Sequence, residues 1–271
     1  MKISSIIKDK KLYQNIFPYN NYDFQTINPF NNKLIKKYDF DSIEQIQTKI
    51  KNSNLIFQKW KSTSLENRLI KMKNLSITLE SKKIELANLI TLEMGKPINE
   101  SLAEINKSIN HINFYLKNSE NFLKPKNLNF EGFENNIEYS PLGVVLCINP
   151  WNFPVWVGFK SIIPCLIAGN TILFKPSPTV PQTNILIEEI FNLSGFEGEY
   201  VNCFAHPDHI STYLISNRYI RHVIFTGSSK VGAFIGENAA KNYKKALLEL
   251  GGSDPFIVFD DCDLEKVIYY I

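Results

Sequence analysis

What this sequence lacks narrows its function first. No apolar run approaches the ~20 residues that a membrane-crossing helix needs. The stretch from Met1 to Asn15 has no apolar centre of the kind a secretory signal carries. A cytoplasmic protein with no membrane partner is therefore expected. Charge of one sign is not in excess: 30 Lys and Arg face 27 Asp and Glu with no basic block, which gives no support to a nucleic-acid partner. Cysteine is sparse and scattered, at Cys147, Cys165, Cys203 and Cys262, without a C-x-x-C pair. Neither a metal centre nor a disulfide framework is expected from such spacing. Internal repeats are absent too. What is present is material for a core: 44% of residues are hydrophobic and 13% aromatic, which excludes global disorder. A chain of 271 residues makes one large α/β domain, or a domain with an appendage.

The stretch from Pro141 to Pro176 organises the rest. Val144 to Ile148 is a short apolar run bounded by Gly143 and Pro150, the pattern of a strand buried on both faces. After the loop Asn149-Pro-Trp-Asn-Phe-Pro154 comes an apolar helix from about Val155 to Ala168, stopped by Gly169-Asn170. A second buried run, Thr171 to Phe174, ends on Lys175-Pro176. This is a β-α-β unit and implies a parallel sheet, with polar chemistry at the carboxyl ends of its strands. Ligands of open parallel sheets bind at that edge.

Upstream, Asn31-Asn32 marks the turn of a small hairpin, and Ser42 starts a helix with Ile43, Ile46, Ile50, Phe57 and Trp60 near one face. Thr63-x-x-Glu66 reads as a capping box, Ser81 as the cap of the next helix, and Gly95 with Pro97 as its end. A further helix runs from Ile98 to Leu123, so the first 120 or so residues are amphipathic helices whose stripes signal packing. Leu128 to Ser140 breaks the helical rhythm around Gly132 and Asn135-Asn136 and reads as a protruding β-hairpin, either an interface with another subunit or a solvated ribbon. Downstream the alternation continues with a helix over Pro181 to Leu193, a strand over Tyr200 to Phe204, a short helix over Asp208 to Ser216 and a strand over His222 to Phe225. Then come a helix over Ser228 to Ala240, strands over Ala246 to Leu250 and Phe256 to Phe259, and a last helix after Asp263.

Four stretches carry candidate chemistry. Phe225-Thr-Gly-Ser-Ser-Lys-Val-Gly232 is a strand end, a glycine turn and a helix start, which is either a structural turn or a phosphate site. Lys175 with Ser177 stands at a strand end, where a lysine either meets a dinucleotide or emerges into solvent. Asn152, pinned between Pro150 and Pro154, is a candidate oxyanion donor if held in a dry pocket. Glu249, inside an apolar strand before Gly251-Gly252, is a candidate general base if burial raises its basicity; a structural carboxylate is the alternative.

Together and in this order, these pieces resemble the NAD(P)-dependent aldehyde dehydrogenase superfamily. The likeness rests on Ile27-Asn-Pro, Thr91-Leu-Glu-Met-Gly-Lys-Pro97, Pro141-Leu-Gly143, Pro150-Trp-Asn-Phe-Pro154, Ala168-Gly-Asn-Thr171, Lys175-Pro-Ser177, Phe225-Thr-Gly-Ser-Ser-Lys-Val-Gly232 and Leu248-Glu-Leu-Gly-Gly252. The run that follows Glu249 is most similar to bacterial succinate-semialdehyde dehydrogenases. The resemblance implies a Rossmann-like α/β fold with flanking helices, an N-terminal helical layer and a bridging hairpin. It implies oxidation of a small aldehyde by NAD or NADP, with Asn152 stabilising the oxyanion and Glu249 as the base. Cofactor contacts are implied for Ile148, Pro150, Trp151, Lys175, Ser177, Pro178, Phe225, Thr226, Gly227, Ser228, Val231, Leu250 and Gly251. Pro178 falls where NAD-preferring members often carry a Glu, so a 2′-phosphate meets no repulsion there. A homo-oligomer is the family's habit.

The implied organisation is an arm over 1–21, a dinucleotide-binding domain over 22–124 and 142–250, a bridging hairpin over 125–141, and the start of a catalytic domain over 251–271. The family's nucleophilic Cys lies beyond the segments matched here, and Cys262, at a helix start, does not stand in for it. The chain alone is therefore expected to be inactive. The alternatives are a dinucleotide-binding module that works with a separate C-terminal half, and a non-functional remnant with an exposed apolar face.

Overall fold

The computed structural model describes residues 23–130 and 132–270; the arm expected over 1–21 lies outside them. The core is a five-stranded, all-parallel sheet of β5 (Val144–Ile148), β6 (Thr171–Lys175), β7 (Tyr200–Asn202), β8 (Ile220–Thr226) and β9 (Lys245–Glu249), in the order β7-β6-β5-β8-β9. Because successive strand residues face opposite sides, β5 divides its side chains between two clusters. Val144, Leu146 and Ile148 pack with α1 (Ile43–Trp60), a π-helix (Ile210–Ile215) and α7 (Ser229–Lys241). Val145 and Cys147 pack on the other face with α5 (Trp156–Ile167) and α6 (Pro181–Leu193). Over those two helices lies the N-terminal layer of α2 (Leu65–Ser81), α3 (Lys83–Met94) and α4 (Ile98–Leu123). All five residues of β5 and of β6 are buried, as their unbroken apolar runs require.

Two hairpins complete the fold: β1 (Asp23–Ile27) with β2 (Leu34–Asp39), and β3 (Lys126–Phe130) with β4 (Phe133–Ile137). The second has an exposed β4. A short helix, α8 (Leu264–Tyr270), comes last.

The structure departs from the local sequence signals at four places. The cap of α2 is Ser64, whose hydroxyl accepts from Asn67 N; the hydroxyl of Thr63 instead donates back to Lys59 O at the end of α1. Ser81 does not cap α3: its hydroxyl donates to Thr78 O, and the cap position is Lys82, which makes no side-chain cap hydrogen bond. Residues 208–216 form a π-helix over Ile210–Ile215. The strand expected over Phe256–Phe259 is absent, because a strand is held by a ladder and no described strand lies beyond β9 to supply one. Those four residues are exposed, as are Leu247, Leu250, Leu264 and Ile268 around them in the sequence.

Candidate functional site at the carboxyl edge of the sheet

From β5 the chain steps outward to β6 and β7, then crosses back to place β8 and β9 on the other side of β5. The connections therefore diverge at the carboxyl ends of β5 and β8. Such a switch point leaves a crevice where α/β sheets bind their ligands. Every sequence-nominated site residue sits at this edge. Ile148 and Pro150–Asn152 leave β5, and Lys175, Ser177 and Pro178 leave β6. Phe225–Ser228 lead from β8 into α7, which carries Val231, and Glu249–Gly251 leave β9.

The loop after β5 is anchored at both ends. Asn149 N donates to Lys175 O (3.2 Å), tying it to the end of β6. The Asn149 side chain is buried, and the amide orientation that satisfies its neighbours has it accepting from Gly158 N (2.8 Å) and donating to Ile148 O (3.2 Å). At the far end, Glu104 Oε1 accepts from Val155 N (2.8 Å) and Trp156 N (3.0 Å), the first amides of α5. Between the anchors, Trp151, Asn152 and Phe153 are exposed. The dry pocket expected around Asn152 is thus not formed by the described residues, since Asn152 is exposed.

Lys175 is buried, 7% exposed, and among the described residues no carboxylate pairs with it. Desolvation, the larger effect, pulls its pKa from the usual 10.5 to about 8, with Cys203 acting in the opposite direction. The reading of a lysine emerging into solvent is corrected. Ser177 and Pro178 are buried beside it, and the Ser177 hydroxyl is 3.2 Å from Thr179 Oγ1. A groove of about 540 Å³ opens between β1 and Pro178-Thr179, with Lys37 on its wall.

Across the switch point, Ser228 caps α7 by accepting from Val231 N (3.4 Å), and the first turn of α7 carries no acidic residue. Gly227 N donates to Glu249 O (3.1 Å), linking the turn to the end of β9. A Cβ on Gly227 would lie 2.5 Å from the Phe225 ring, and one on Gly232 would lie 2.2 Å from Leu250. Gly232 lets Leu250 close over the start of α7. Glu249 is not buried as expected. It ends an edge strand, its side chain is 46% exposed, and its Oε2 lies 3.1 Å from Lys160 Nζ.

Residues that sequence reasoning missed are those whose partners are far along the chain. Glu104, Asn149 and Lys160 belong here, as does Glu93, buried in α3 and accepting from Gln182 N, Thr183 N and the Thr183 hydroxyl at the start of α6. The only hint was a carboxylate inside a helical apolar stripe. Among the described residues no three His, Cys, Asp or Glu side chains form a metal-like group, and no helix is long and apolar enough to cross a membrane.

Comparison with known proteins bears on this geometry directly. The aldehyde dehydrogenase family model matches residues 18–271. The chain belongs to the aldehyde dehydrogenase family. Among members of that family, the succinate semialdehyde dehydrogenase [NAD(P)+] of Escherichia coli (strain K12) is 36% identical over 244 residues, covering 90% of this chain and 53% of that protein. The succinate-semialdehyde dehydrogenase [NADP(+)] of Deinococcus radiodurans is 34% identical over 246 residues, covering 90% and 51%. The crystal structure of succinic semialdehyde dehydrogenase from Streptococcus pyogenes in complex with NADP+ superposes with a TM-score of 0.85 at 29% identity, covering 90% of this chain and 54% of that one. This aldehyde dehydrogenase chain thus spans about half the length of the curated relatives it matches.

Proposed function

We propose that this chain is the dinucleotide-binding part of an aldehyde dehydrogenase that oxidises a small aldehyde, succinic semialdehyde in the first instance, with NADP+ or NAD+. The observation that carries the reading is Lys175, a buried cation with no carboxylate partner among the described residues, at the strand ends flanking the switch point. An unpaired buried charge is costly unless a ligand completes it. Its fit to a dinucleotide is supported by the capped, acid-free N-terminus of α7 across the crevice, which suits a phosphate. Pro178, which offers no carboxylate against a 2′-phosphate, leaves NADP+ open. When bound, the dinucleotide supplies the hydride acceptor. In this reading Trp151 and Val231 line the site, the Asn152 carboxamide donates to the developing oxyanion, and Glu249 takes a proton from water or thiol.

The same chain, taken alone, does not turn over aldehyde. Burial raises the Cys147 thiol well above its usual pKa and pushes Cys165 and Cys203 to about 12, so none holds a thiolate at neutral pH. Cys262 lies in the turn before α8, not at the switch point. Calorimetric titration of the 271-residue chain with NADP+ and NAD+ tests the reading; a folded protein that binds neither overturns it. Formation of NADPH from succinic semialdehyde by the chain alone would sink the claim of inactivity. A second reading, a module completed by a separately supplied partner, is favoured by the apolar exposure over Phe256–Phe259 and α8. Under that reading the same titration still gives binding.

A further inference from the structure

We infer that Glu104 and Lys96 are a positioning pair for the loop 149–154, setting the direction in which Trp151 and Asn152 face the crevice. The inference rests on that loop being a wall of the dinucleotide site.

Glu104, on α4, is 4% exposed, and Lys96, in the connection after α3, is 6% exposed. One carboxylate oxygen accepts from Lys96 Nζ (2.5 Å), while the other takes both Val155 N and Trp156 N. The first amides of a helix have no partner within the helix, and α5 has no cap of its own: Val155 takes the cap position with helical dihedrals and a side chain that cannot accept. An ordinary Ser or Asp cap next to the loop would satisfy those amides locally. Here they are satisfied from 51 residues upstream. The start of α5, and Pro154 before it, are thereby tied to the α3–α4 layer in addition to the loop, whose Phe153 O accepts from Val157 N (3.2 Å). Lys96 adds a second hold, because its Nζ lies 3.6 Å from the centroid of the Phe153 ring. Gly95, left-handed at φ 81°, ends α3 just before it. A buried ion pair is weak support for stability, since apolar replacements are often neutral or better. A role in holding a specific orientation accounts for it.

Hydrogen exchange of the full 271-residue chain, read by mass spectrometry over 149–157, together with calorimetric titration by NADP+, tests the pair. Glu104→Ala is expected to speed exchange over 149–157 about tenfold, the loss of one cap, and to weaken NADP+ about tenfold. Exchange in β6 and β8 stays as in the parent. Glu104→Gln keeps a carbonyl oxygen for the same two amides and is expected to restore loop exchange to within about threefold. Phe153→Leu removes only the ring under the ammonium and is expected to loosen the loop in the same direction. If Glu104→Ala does not fold, Glu104→Gln and Phe153→Leu decide. A lowered melting temperature with loop exchange and NADP+ affinity at the parent level overturns the inference, as does Phe153→Leu with an unchanged loop. Failure of the parent to bind NADP+ overturns the functional reading instead, and leaves the exchange data to judge the pair.

Discussion

Lys160 Nζ lies 3.1 Å from Glu249 Oε2, joining the exposed face of α5 to the end of the edge strand β9, with each side chain 46% exposed. A pair so wet gains little, because water screens both charges and holding two long side chains together costs entropy. Glu249 is thus parked rather than locked and remains free to rotate toward the crevice. Lys160→Met is expected to change unfolding free energy by no more than about 0.5 kcal/mol in urea titration. A loss of about 2 kcal/mol or more would mean that the pair holds β9 in the sheet.

Gly227 is fixed by the ring beneath it. An added Cβ would lie 2.5 Å from the zeta carbon and 3.2 Å from both epsilon carbons of Phe225, which is 4% exposed and packed in the core. The ring has nowhere to go, so Gly227→Ala is expected to cost about 1–3 kcal/mol, the usual range for overpacking. Gly232→Ala meets only the tip of Leu250, which is 42% exposed and able to swing away, so its cost should be smaller. Urea midpoints of the two variants give the comparison, and equal costs would refute the ring argument.

Elements written in local pattern were legible: the unbroken apolar runs of β5 and β6, the Gly95 stop of α3, and the Asn31-Asn32 turn of the first hairpin, whereas Asn135-Asn136 lie within β4 and pair with β3. Caps one residue out of place, at Thr63 and Ser81, failed because a hydroxyl bonds whichever carbonyl is nearer, which spacing does not encode. The strand over Phe256–Phe259 was misread because an apolar alternation becomes a strand only beside another strand. At the site, position along the chain was legible and environment was not. The apolar strand around Glu249 predicts burial and Glu249 is exposed, while the strand end at Lys175 suits ligand or solvent and Lys175 is buried. Burial depends on which strand lies at the sheet's edge, and that is a property of topology. Glu104 was illegible for a related reason, as its partners are 51 and 52 residues away.

The cysteines make a simple test of the packing. Cys147 and Cys203 are buried, Cys165 is part-buried with its thiol pushed to about 12, and Cys262 is part-exposed in the turn before α8. A thiolate-seeking reagent at neutral pH is expected to modify one thiol per native chain rapidly and four after unfolding in denaturant. Mass mapping should place the fast adduct on Cys262, and NADP+ titration of the modified protein should match that of the parent. A fast adduct on Cys147 would contradict the burial of β5.

Lys175 links stability to binding with opposite signs. Its folded pKa is about 8 against the ordinary 10.5, so between those values the unfolded chain holds a proton that the folded chain has released. Stability should therefore rise with pH from about 8 to 10.5 through this group, with the full desolvation penalty present below 8. Lys175→Met removes the buried ammonium and keeps its length. At pH 7 it is expected to raise stability by about 1–3 kcal/mol, a gain that shrinks above pH 8. An anionic ligand beside Lys175 favours the charged form, so NADP+ affinity should be flat below about pH 8 and fall above it, with proton uptake on binding. Lys175→Met should weaken NADP+ about tenfold or more and abolish that pH dependence. Calorimetry in two buffers of different ionisation enthalpy reads the proton uptake directly. If uptake is absent in the parent at pH 8.5, Lys175 does not face the ligand's charge, and the placement of the dinucleotide at the β6 end is wrong.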